Sequence, residues 1–353
     1  MLQLDKIFKT AVQYKASDIY ITTGSKPILR INGDLISIEE HPILSKKMAE
    51  DYLTEILTDK QKEEFPRKLD LDFSYEAAGI SRFRVNMFVQ RKGIGACFRV
   101  ISTNVHTLAE LGLPDKLKEI SLSENGLVLV TGPTGSGKST TLAAMVNEIN
   151  INASASHIIT IEDPIEYIHD NNRSIIDQRE VGSHTLSFQN ALRSALREDP
   201  DVILVGEMRD LETIALALTA AETGHLVFAT LHTNGAAASI DRIIDAFPTN
   251  QQNQIRMQLA ASLRAVIWQT LLKTKDGNGR VAGLEIMLNN SAVANMIRKN
   301  KTHQLNSAIE TGFKEGMQTM KKSITELLEG GIIDEEEALS AIPEDLIDTS
   351  NAQ

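Results

Sequence analysis

This chain of 353 residues has few cysteines, few tryptophans and no net positive charge. It has one cysteine, Cys97, and one tryptophan, and its aromatic residues make up 5% of the sequence. A single cysteine excludes an internal disulfide and a paired-cysteine zinc site, so we expect a reducing compartment. The net charge of -11 argues against a general nucleic-acid binder, because contacts to phosphates require clustered lysine and arginine.

Long apolar runs are absent as well. The sequence contains no stretch of 18 apolar residues, and residues 1–8 lack the basic start and unbroken apolar core of a signal peptide. These absences predict a cytoplasmic protein that reaches a membrane only through protein partners. The proportions of hydrophobic residues (42%) and charged residues (24%) predict a chain that folds, and its length predicts two domains.

The first part of the chain has the alternation of antiparallel strands. After a short helical pattern near the start, residues 69–75, 83–89 and 96–100 place every second apolar side chain on one face. The pattern predicts an α+β domain over residues 1–105 and a linker over residues 106–125. Three arginines lie on or beside the polar face of the predicted strands: Arg82, Arg84 and Arg99.

From Gly126 onward, short apolar runs alternate with helical patterns. This alternation is typical of a parallel sheet covered on both faces and predicts an α/β domain over residues 126–353 with helices at its C-terminal end. A helical pattern after Pro248 extends through Trp268, and a hairpin is expected around Asp276. The predicted parallel strands are residues 127–130, 158–161, 202–205 and 226–231.

A phosphate-binding loop follows the first of these strands. The sequence there matches GxxxxGK[ST], a loop whose backbone N–H groups bind phosphates while Lys138 reaches the β- and γ-phosphates and Ser139 binds Mg²⁺. The preceding strand and the following amphipathic helix are the context that this motif requires, so the sequence predicts binding of ATP with Mg²⁺. The predicted ATP-binding residues are Gly132, Pro133, Thr134, Gly135, Ser136, Gly137, Lys138, Ser139 and Thr140.

Carboxylates follow two of the other predicted strands. Because the carboxyl ends of parallel strands face the ligand crevice, we expect these side chains to converge on the γ-phosphate. One carboxylate there can orient or deprotonate the attacking water, and another can hold Mg²⁺. Glu207 and Glu162 are the candidates for the first role, and the sequence leaves the choice open; Glu166 lies nearby. The predicted metal-binding residues are Ser139, Glu162 and Asp163.

Histidines and arginines complete the candidate catalytic set. His232 follows strand 226–231 and can sense the γ-phosphate, whereas His225 precedes that strand and is more consistent with a structural role. Arg193 and Arg197 stand four residues apart, on one face of a predicted helix. Such arginines, like those of the first domain, are either solvated surface residues or act across a subunit boundary. An arginine donated across a subunit boundary can raise the rate of phosphoryl transfer by ~10³ to 10⁵. This gain favours an assembly of subunits in a ring.

In their order and spacing, these motifs resemble the secretion ATPases of type II secretion and type IV pili. The resemblance covers nearly the whole chain and implies an α+β PAS-like N-terminal domain, then an α/β RecA-like P-loop ATPase domain with a helical C-terminal extension. It also implies a homohexameric motor and an inner-membrane platform protein as partner. The matching segments are a Walker A motif in residues 132–140, an Asp box in 161–167, a Walker B motif in 199–210 and a His box in 223–234.

Within this family, the sequence is more similar to the ATPases that retract pili for twitching motility. Assembly ATPases usually carry a further N-terminal domain and a four-cysteine zinc site, for which this sequence has neither the length nor the cysteines. Residues 292–299 resemble the retraction signature AIRNLIRE, but Ala294 replaces its first arginine and Lys299 its acid. An accessory role beside a principal retraction ATPase, or a role in secretion or pilus assembly, therefore stays open.

Two alternatives lie outside this family function. A DNA translocase is disfavoured by the acidic charge, and a scaffold that binds ATP without turnover is disfavoured by the carboxylates and histidines beside the P-loop. The sequence leaves the direction of force undecided.

Overall fold

The computed structural model describes residues 3–31, 33–101, 104–153, 155–277 and 279–341. Contacts between residues divide the chain into two compact units. The first comprises Met1–Asn104 with Glu166–Ile168, and the second comprises Val105–Ile165 with His169–Gln353. Each unit has a hydrophobic core of its own.

The first unit is an antiparallel sheet covered by helices. Alternating apolar residues put one face of the sheet against helix α1, where the Phe8 ring stacks on Phe83 with centroids 4.3 Å apart. The sheet has six strands in the order β3-β2-β1-β6-β5-β4, which confirms the predicted α+β pattern. The elements are α1 (Gln3–Gln13), β1 (Asp18–Thr22), β2 (Ile28–Ile31), β3 (Asp34–Ser37), α2 (Lys46–Glu55), α3 (Asp59–Lys68), β4 (Asp70–Ala77), β5 (Ser81–Gln90) and β6 (Gly93–Ile101).

The second unit is an α/β layer structure around a seven-stranded sheet, with elements α4 (Asp115–Ser121), β7 (Gly126–Thr131), α5 (Lys138–Asn152), β8 (His157–Glu162), β9 (Ile175–Glu180), α6 (Phe188–Ala195), β10 (Val202–Val205), α7 (Leu211–Glu222), β11 (Leu226–Leu231), α8 (Ala236–Asp245), α9 (Thr249–Ser262), β12 (Leu263–Lys273), β13 (Arg280–Leu288), α10 (Ser291–Arg298), α11 (Leu305–Thr311), α12 (Met320–Glu329) and α13 (Glu335–Ala341). Two short 3₁₀ helices, Thr302–Gln304 and Gly312–Glu315, flank α11.

The sheet of the second unit is buried on both faces, as its unbroken apolar strands predict. Its strand order is β13-β12-β7-β11-β10-β8-β9, and every pair is parallel except β12 with β13. Along β7, Leu127 and Leu129 face one core, whereas Val128 and Val130 face another. The four predicted parallel strands are confirmed, and their carboxyl ends lie at one edge of the sheet.

Two segments differ from the prediction. The helical pattern after Pro248 ends at Ser262, so the prediction of helix through Trp268 is wrong for its last six residues. Apart from Arg264, that stretch is apolar and buried on both faces of β12, where periodicity cannot separate a strand from a buried helix. Residues 106–125, predicted as a linker, contain α4, whose Leu117 is buried in the second unit.

None of the helices in the described part of the chain combines the length and apolar character that crossing a membrane requires.

Candidate active site

The P-loop joins the carboxyl end of β7 to the first residue of α5. Gly135 and Gly137 have φ of 79° and 86°, a left-handed conformation that glycine adopts without a steric penalty. These two residues let the loop curl back so that α5 begins directly at Lys138. The first backbone N–H groups of a helix have no partner within the helix, and the helix dipole favours anions there.

Lys138 and Ser136 have the environment of groups that bind phosphate. Lys138 is only 8% exposed, and its Nζ donates to the carbonyl oxygens of Gly132 and Pro133, 2.9 Å from each. The Ser136 hydroxyl is buried, and its Oγ has no hydrogen-bond partner among the residues that the structure describes. A buried hydroxyl and a buried ammonium both gain from a ligand rich in acceptor oxygens. The loop therefore fits a nucleotide phosphate.

Glu207, two residues beyond the end of β10, lies at the centre of a charged cluster at the same edge of the sheet. Its Oε2 is 2.7 Å from Nη2 of Arg209, and its Oε1 is 3.4 Å from Nε2 of His232, which follows β11. The Arg209 guanidinium also lies 3.9 Å from the carboxylate of Asp163, which follows β8. The ends of three neighbouring strands are joined in this way, as the parallel topology predicts.

The charged neighbours of Glu207 set its protonation state. Partial burial alone would raise the pKa of the Glu207 carboxyl, but the hydrogen bond and positive charge of Arg209 and the contact with His232 outweigh burial and lower that pKa. Glu207 is therefore ionised at neutral pH. An ionised carboxylate at this position can accept a hydrogen bond from a water molecule and orient it.

Glu162, the other candidate for the water-orienting role, ends strand β8. Its Oε1 accepts hydrogen bonds from Oγ1 of Thr160, at 2.7 Å, and from Nε2 of Gln178, at 3.4 Å. The two candidate carboxylates lie at the carboxyl ends of adjacent strands, since β8 pairs with β10 and the backbone N–H of Gly206 donates to the carbonyl of Ile161 at 2.7 Å. Both side chains are half-buried, so geometry alone leaves both as candidates.

Of the other two predicted metal-binding residues, Ser139 is half-buried at the start of α5 and Asp163 is exposed. Glu166, predicted in the catalytic set, is exposed and belongs to the first unit. The described residues contain no group of three or more histidine, cysteine, aspartate or glutamate side chains that could hold a metal ion. Mg²⁺ fits such a site when phosphate oxygens supply further ligands, because it usually binds through one or two protein groups and retains waters.

His225 lies at the opposite end of β11 from the P-loop, a position consistent with the structural role that the sequence favoured for it. Leu226 pairs with Gly126 at the start of β7, so His225 is about 17 Å from the strand end at which the P-loop begins. Its Nδ1 lies 2.9 Å from the carbonyl oxygen of Ala220 and 3.2 Å from Oγ1 of Thr223. These contacts give His225 a structural role at the end of helix α7.

Arg193 and Arg197 do not share a helical face. Helix α6 ends at Ala195, and the N–H of Arg197 donates to the carbonyl of Ser194, 2.8 Å away, in a tighter turn. The prediction of one arginine face is therefore wrong, because the helix is shorter than its pattern suggested. Arg193 forms an ion pair with Glu212 of α7.

The three arginines of the first unit differ in their surroundings. Nε of Arg99 is 3.0 Å from Oδ1 of Asp18, a buried carboxylate on the neighbouring strand β1. Arg82 is half-buried on β5, whereas Arg84 on the same strand is exposed. Within the described residues, Arg84 forms no ion pair, and the same holds for the exposed Arg197 of the second unit. Among the five candidate arginines, Arg84 and Arg197 are thus exposed and without an ion pair to any described residue, so both can contact another molecule.

Sequence reasoning missed two residues that contact this site. Arg209 stands only two residues after Glu207, and its charge beside a candidate catalytic carboxylate was a signal that could have been used. Gln269 of β12 donates from Nε2 to the carbonyl of Ser136 in the P-loop at 2.7 Å. No local pattern relates Gln269 to a loop more than a hundred residues earlier in the chain.

Comparison with known proteins identifies the family. The model for the family described as Type II/IV secretion system protein matches residues 1–340. The chain belongs to this family, which confirms the resemblance to secretion ATPases.

The most similar relatives include two pilus proteins. The chain is 52% identical over 330 residues to a twitching motility protein of Neisseria gonorrhoeae, covering 92% of this chain and 88% of that protein. It is 50% identical over 337 residues to the type IV pilus retraction ATPase PilT of Pseudomonas aeruginosa, covering 96% of this chain and 97% of that protein. Among solved structures, the pilus retraction motor PilT with bound ADP matches with a TM-score of 0.90 and 46% identity over 98% of both chains.

Proposed function

We propose that this protein hydrolyses ATP and uses the energy to retract type IV pili, the activity that twitching motility requires. The observation that carries the proposal is the common position of the P-loop, after β7, and the Glu207 cluster, after β10, at one edge of a parallel sheet. Relatives named for pilus retraction and twitching motility match this chain over nearly its whole length.

ATP binds at Gly132–Thr140 in this proposal. Lys138 exchanges its bonds to two loop carbonyls for the β- and γ-phosphates, and the Ser136 hydroxyl gains an acceptor. Ser139 holds Mg²⁺ directly, and Glu162 and Asp163 act on it through water. The ADP bound to the related retraction motor supports the nucleotide, and the chemistry of the loop supports the phosphate contacts.

Hydrolysis needs a positioned water, and Glu207 is the residue that we assign to it. Its ionised carboxylate accepts a hydrogen bond from the water, and Arg209 fixes the carboxylate through the 2.7 Å contact. His232, 3.4 Å from the same carboxylate, changes its contacts when the γ-phosphate leaves. The site then reports the nucleotide state to the His box.

The working unit that we propose is a cytoplasmic homohexamer acting on an inner-membrane platform protein. Residues 1–105 form its PAS-like domain, residues 106–125 connect the domains, and residues 126–353 form its RecA-like domain with a C-terminal helical extension. Arg84 and Arg197 are exposed and form no ion pair with any described residue, and so are the candidates for contacting a neighbouring subunit's nucleotide. Contact with the membrane is through partners, and the charge of -11 disfavours direct nucleic-acid binding.

The replacement Lys138→Ala tests the first step. We expect ATP hydrolysis by the purified variant to fall to background while its circular dichroism spectrum stays that of the wild type, because Lys138 is the first residue of α5 and alanine favours a helix. The matched control is Lys322→Ala, which removes an exposed lysine on α12 that pairs with Glu326. Undiminished hydrolysis by Lys138→Ala overturns the P-loop assignment.

A mixing experiment tests the ring. Inactive Lys138→Ala subunits are added to wild-type protein in increasing proportion, and hydrolysis is measured after exchange. If subunits complete each other's sites, activity falls more steeply than dilution predicts. A strictly proportional fall contradicts sites completed by a neighbour.

An accessory role beside a principal retraction ATPase is the second candidate, and the altered retraction signature is the observation that favours it. Ala294, in place of an arginine, is buried in the core against which α10 packs, and Lys299 lies just beyond that helix. The protein is expressed in a host that lacks every retraction ATPase. Restored twitching identifies a principal motor, whereas restoration only together with a second ATPase identifies an accessory one.

A further inference from the structure

Gln269 packs directly against the P-loop from the adjacent strand β12. It is 2% exposed, its Nε2 donates to the carbonyl of Ser136 at 2.7 Å, and its Oε1 accepts from Oγ1 of Thr141 at 2.7 Å. The direction of the side-chain amide follows from its partners, because a carbonyl only accepts and the hydroxyl is free to donate. One side chain thus connects the loop, helix α5 and the strand.

Two of the three P-loop glycines contact this same residue. A Cβ atom at Gly132 would lie 2.2 Å from the backbone oxygen of Gln269, and one at Gly137 would lie 2.8 Å from its Nε2. At Gly135, by contrast, a Cβ would meet no described atom within 4 Å. The loop is therefore closely packed on Gln269 at both of its ends and open at its middle.

The bond to Ser136 fixes the orientation of a peptide plane. In a trans peptide, the C=O of Ser136 and the N–H of Gly137 point in opposite directions, because the group is planar. Since the C=O points to Gln269, the N–H of Gly137 points away from β12. Backbone N–H groups of this loop are the donors that bind phosphates in the pattern GxxxxGK[ST].

We propose that Gln269 is a positioning residue for the nucleotide site, which holds the P-loop in the shape that presents its N–H groups to phosphate. The inference rests on the proposed function, because it requires that the loop binds ATP. Its bond to Thr141 holds the first turn of α5 in register with the loop, so the loop and the helix N-terminus are oriented together. Gln269 itself acts through the loop and does not contact the reacting atoms.

The test is a direct measurement of ATP binding and hydrolysis by Gln269→Leu in the full-length protein. We expect the Kd and KM for ATP to rise about tenfold, because a loop without this hydrogen bond must be ordered by the nucleotide itself. The kcat at saturating ATP is expected to change less than about threefold. The melting temperatures of the wild-type protein and of Gln269→Leu are also measured with and without ATP. The rise in melting temperature that ATP causes is expected to be smaller for the variant.

A matched glutamine serves as the control. Gln252 also donates from Nε2 to a backbone carbonyl, that of Phe247 at 3.2 Å, but it belongs to helix α9. Gln252→Leu is expected to lower the melting temperature and leave Kd and KM unchanged. If Gln269 has only a structural role, both variants will have a lower melting temperature and an unchanged Kd for ATP, and the inference is then contradicted.

A second variant covers the case in which Gln269→Leu fails to fold. Thr141→Val removes the hydroxyl that donates to Oε1 and keeps the volume of the side chain, so the Gln269 amide loses one of its two anchors. We expect a rise in Kd of about threefold. If wild-type protein binds ATP and the folded variants bind it within twofold of wild type, this inference is overturned alone. If wild-type protein does not bind ATP, the proposed function is overturned together with it.

Discussion

The replacement Glu207→Gln separates the catalytic role of this carboxylate from its role in the fold. Glutamine has nearly the same shape, and its carbonyl oxygen still accepts from Arg209, so the change removes one negative charge and little else. The Glu207 side chain is 19% exposed, but that of Arg209 is 66% exposed, so the guanidinium left behind is well solvated. An ion pair with one exposed partner contributes about 1 kcal/mol or less, so the fold is expected to survive.

The effect on hydrolysis is expected to be far larger than the effect on stability. Loss of a positioned general base typically costs ~10² to 10⁴ in rate, and an amide oxygen replaces the carboxylate poorly because it carries no charge. We therefore expect kcat for ATP hydrolysis to fall by about 10²-fold or more. The Kd for ATP is expected to stay within a few-fold of wild type, because Glu207 is outside the P-loop.

The assay is phosphate release at saturating ATP, combined with a binding titration with a fluorescent ATP analogue. Glu212→Gln is the control, since Glu212 is also a carboxylate paired with an arginine of the second unit, Arg193, but belongs to helix α7. It is expected to keep wild-type kcat. A kcat for Glu207→Gln within threefold of wild type refutes the assignment and makes Glu162 the candidate to test by the same replacement.

Four further predictions concern residues outside the P-loop. Arg84→Ala is expected to lower hydrolysis by the assembled protein about tenfold or more. Arg99→Ala is expected mainly to destabilise the protein by about 1 kcal/mol, because Asp18 loses a partner; equal effects of the two on kcat would contradict the distinction. His225→Ala is expected to lower the free energy of unfolding, measured by urea titration, by about 1 kcal/mol and to leave kcat unchanged. A tenfold loss of kcat would contradict a purely structural role for His225. Burial lowers the pKa of His169 from 6.5 to about 4. Between these values the unfolded chain binds a proton that the folded chain does not, so the free energy of unfolding is expected to fall by up to about 3 kcal/mol as the pH drops through this window. The same titration on His169→Gln is expected to lose this pH dependence, and an unchanged pH dependence in that variant would contradict it.

The parts of the fold that local patterns encode could be predicted from the sequence. The P-loop was recognisable because strand, loop and helix are adjacent in the chain, and the four parallel strands were recognisable because burial on both faces makes them short and uniformly apolar. Burial of the same kind hid strand β12, whose first residues were predicted as helix. Strand β9, with Asp177, Gln178 and Arg179 in its centre, has too few apolar residues to signal a strand.

The sequence predicted which residues lie near the candidate site but not which side chains contact each other there. Convergence of Glu162, Glu207 and His232 follows from parallel strands ending at one edge, and the structure brings their strand ends together. The choice of Arg209 as the partner of Glu207 depends on side-chain conformation, which no periodicity encodes. The contact of Gln269 with the P-loop depends on β12 pairing with β7, a long-range arrangement that local sequence does not specify.

Deletion of the gene in its host, with surface filaments counted by electron microscopy and twitching scored on the same cells, tests the proposed retraction most directly. The deletion strain is then complemented with the wild-type gene or with Lys138→Ala. We predict excess filaments and lost twitching in the deletion strain, reversed by the wild-type gene and not by Lys138→Ala. Cells without filaments would contradict retraction and show instead that the motor drives assembly.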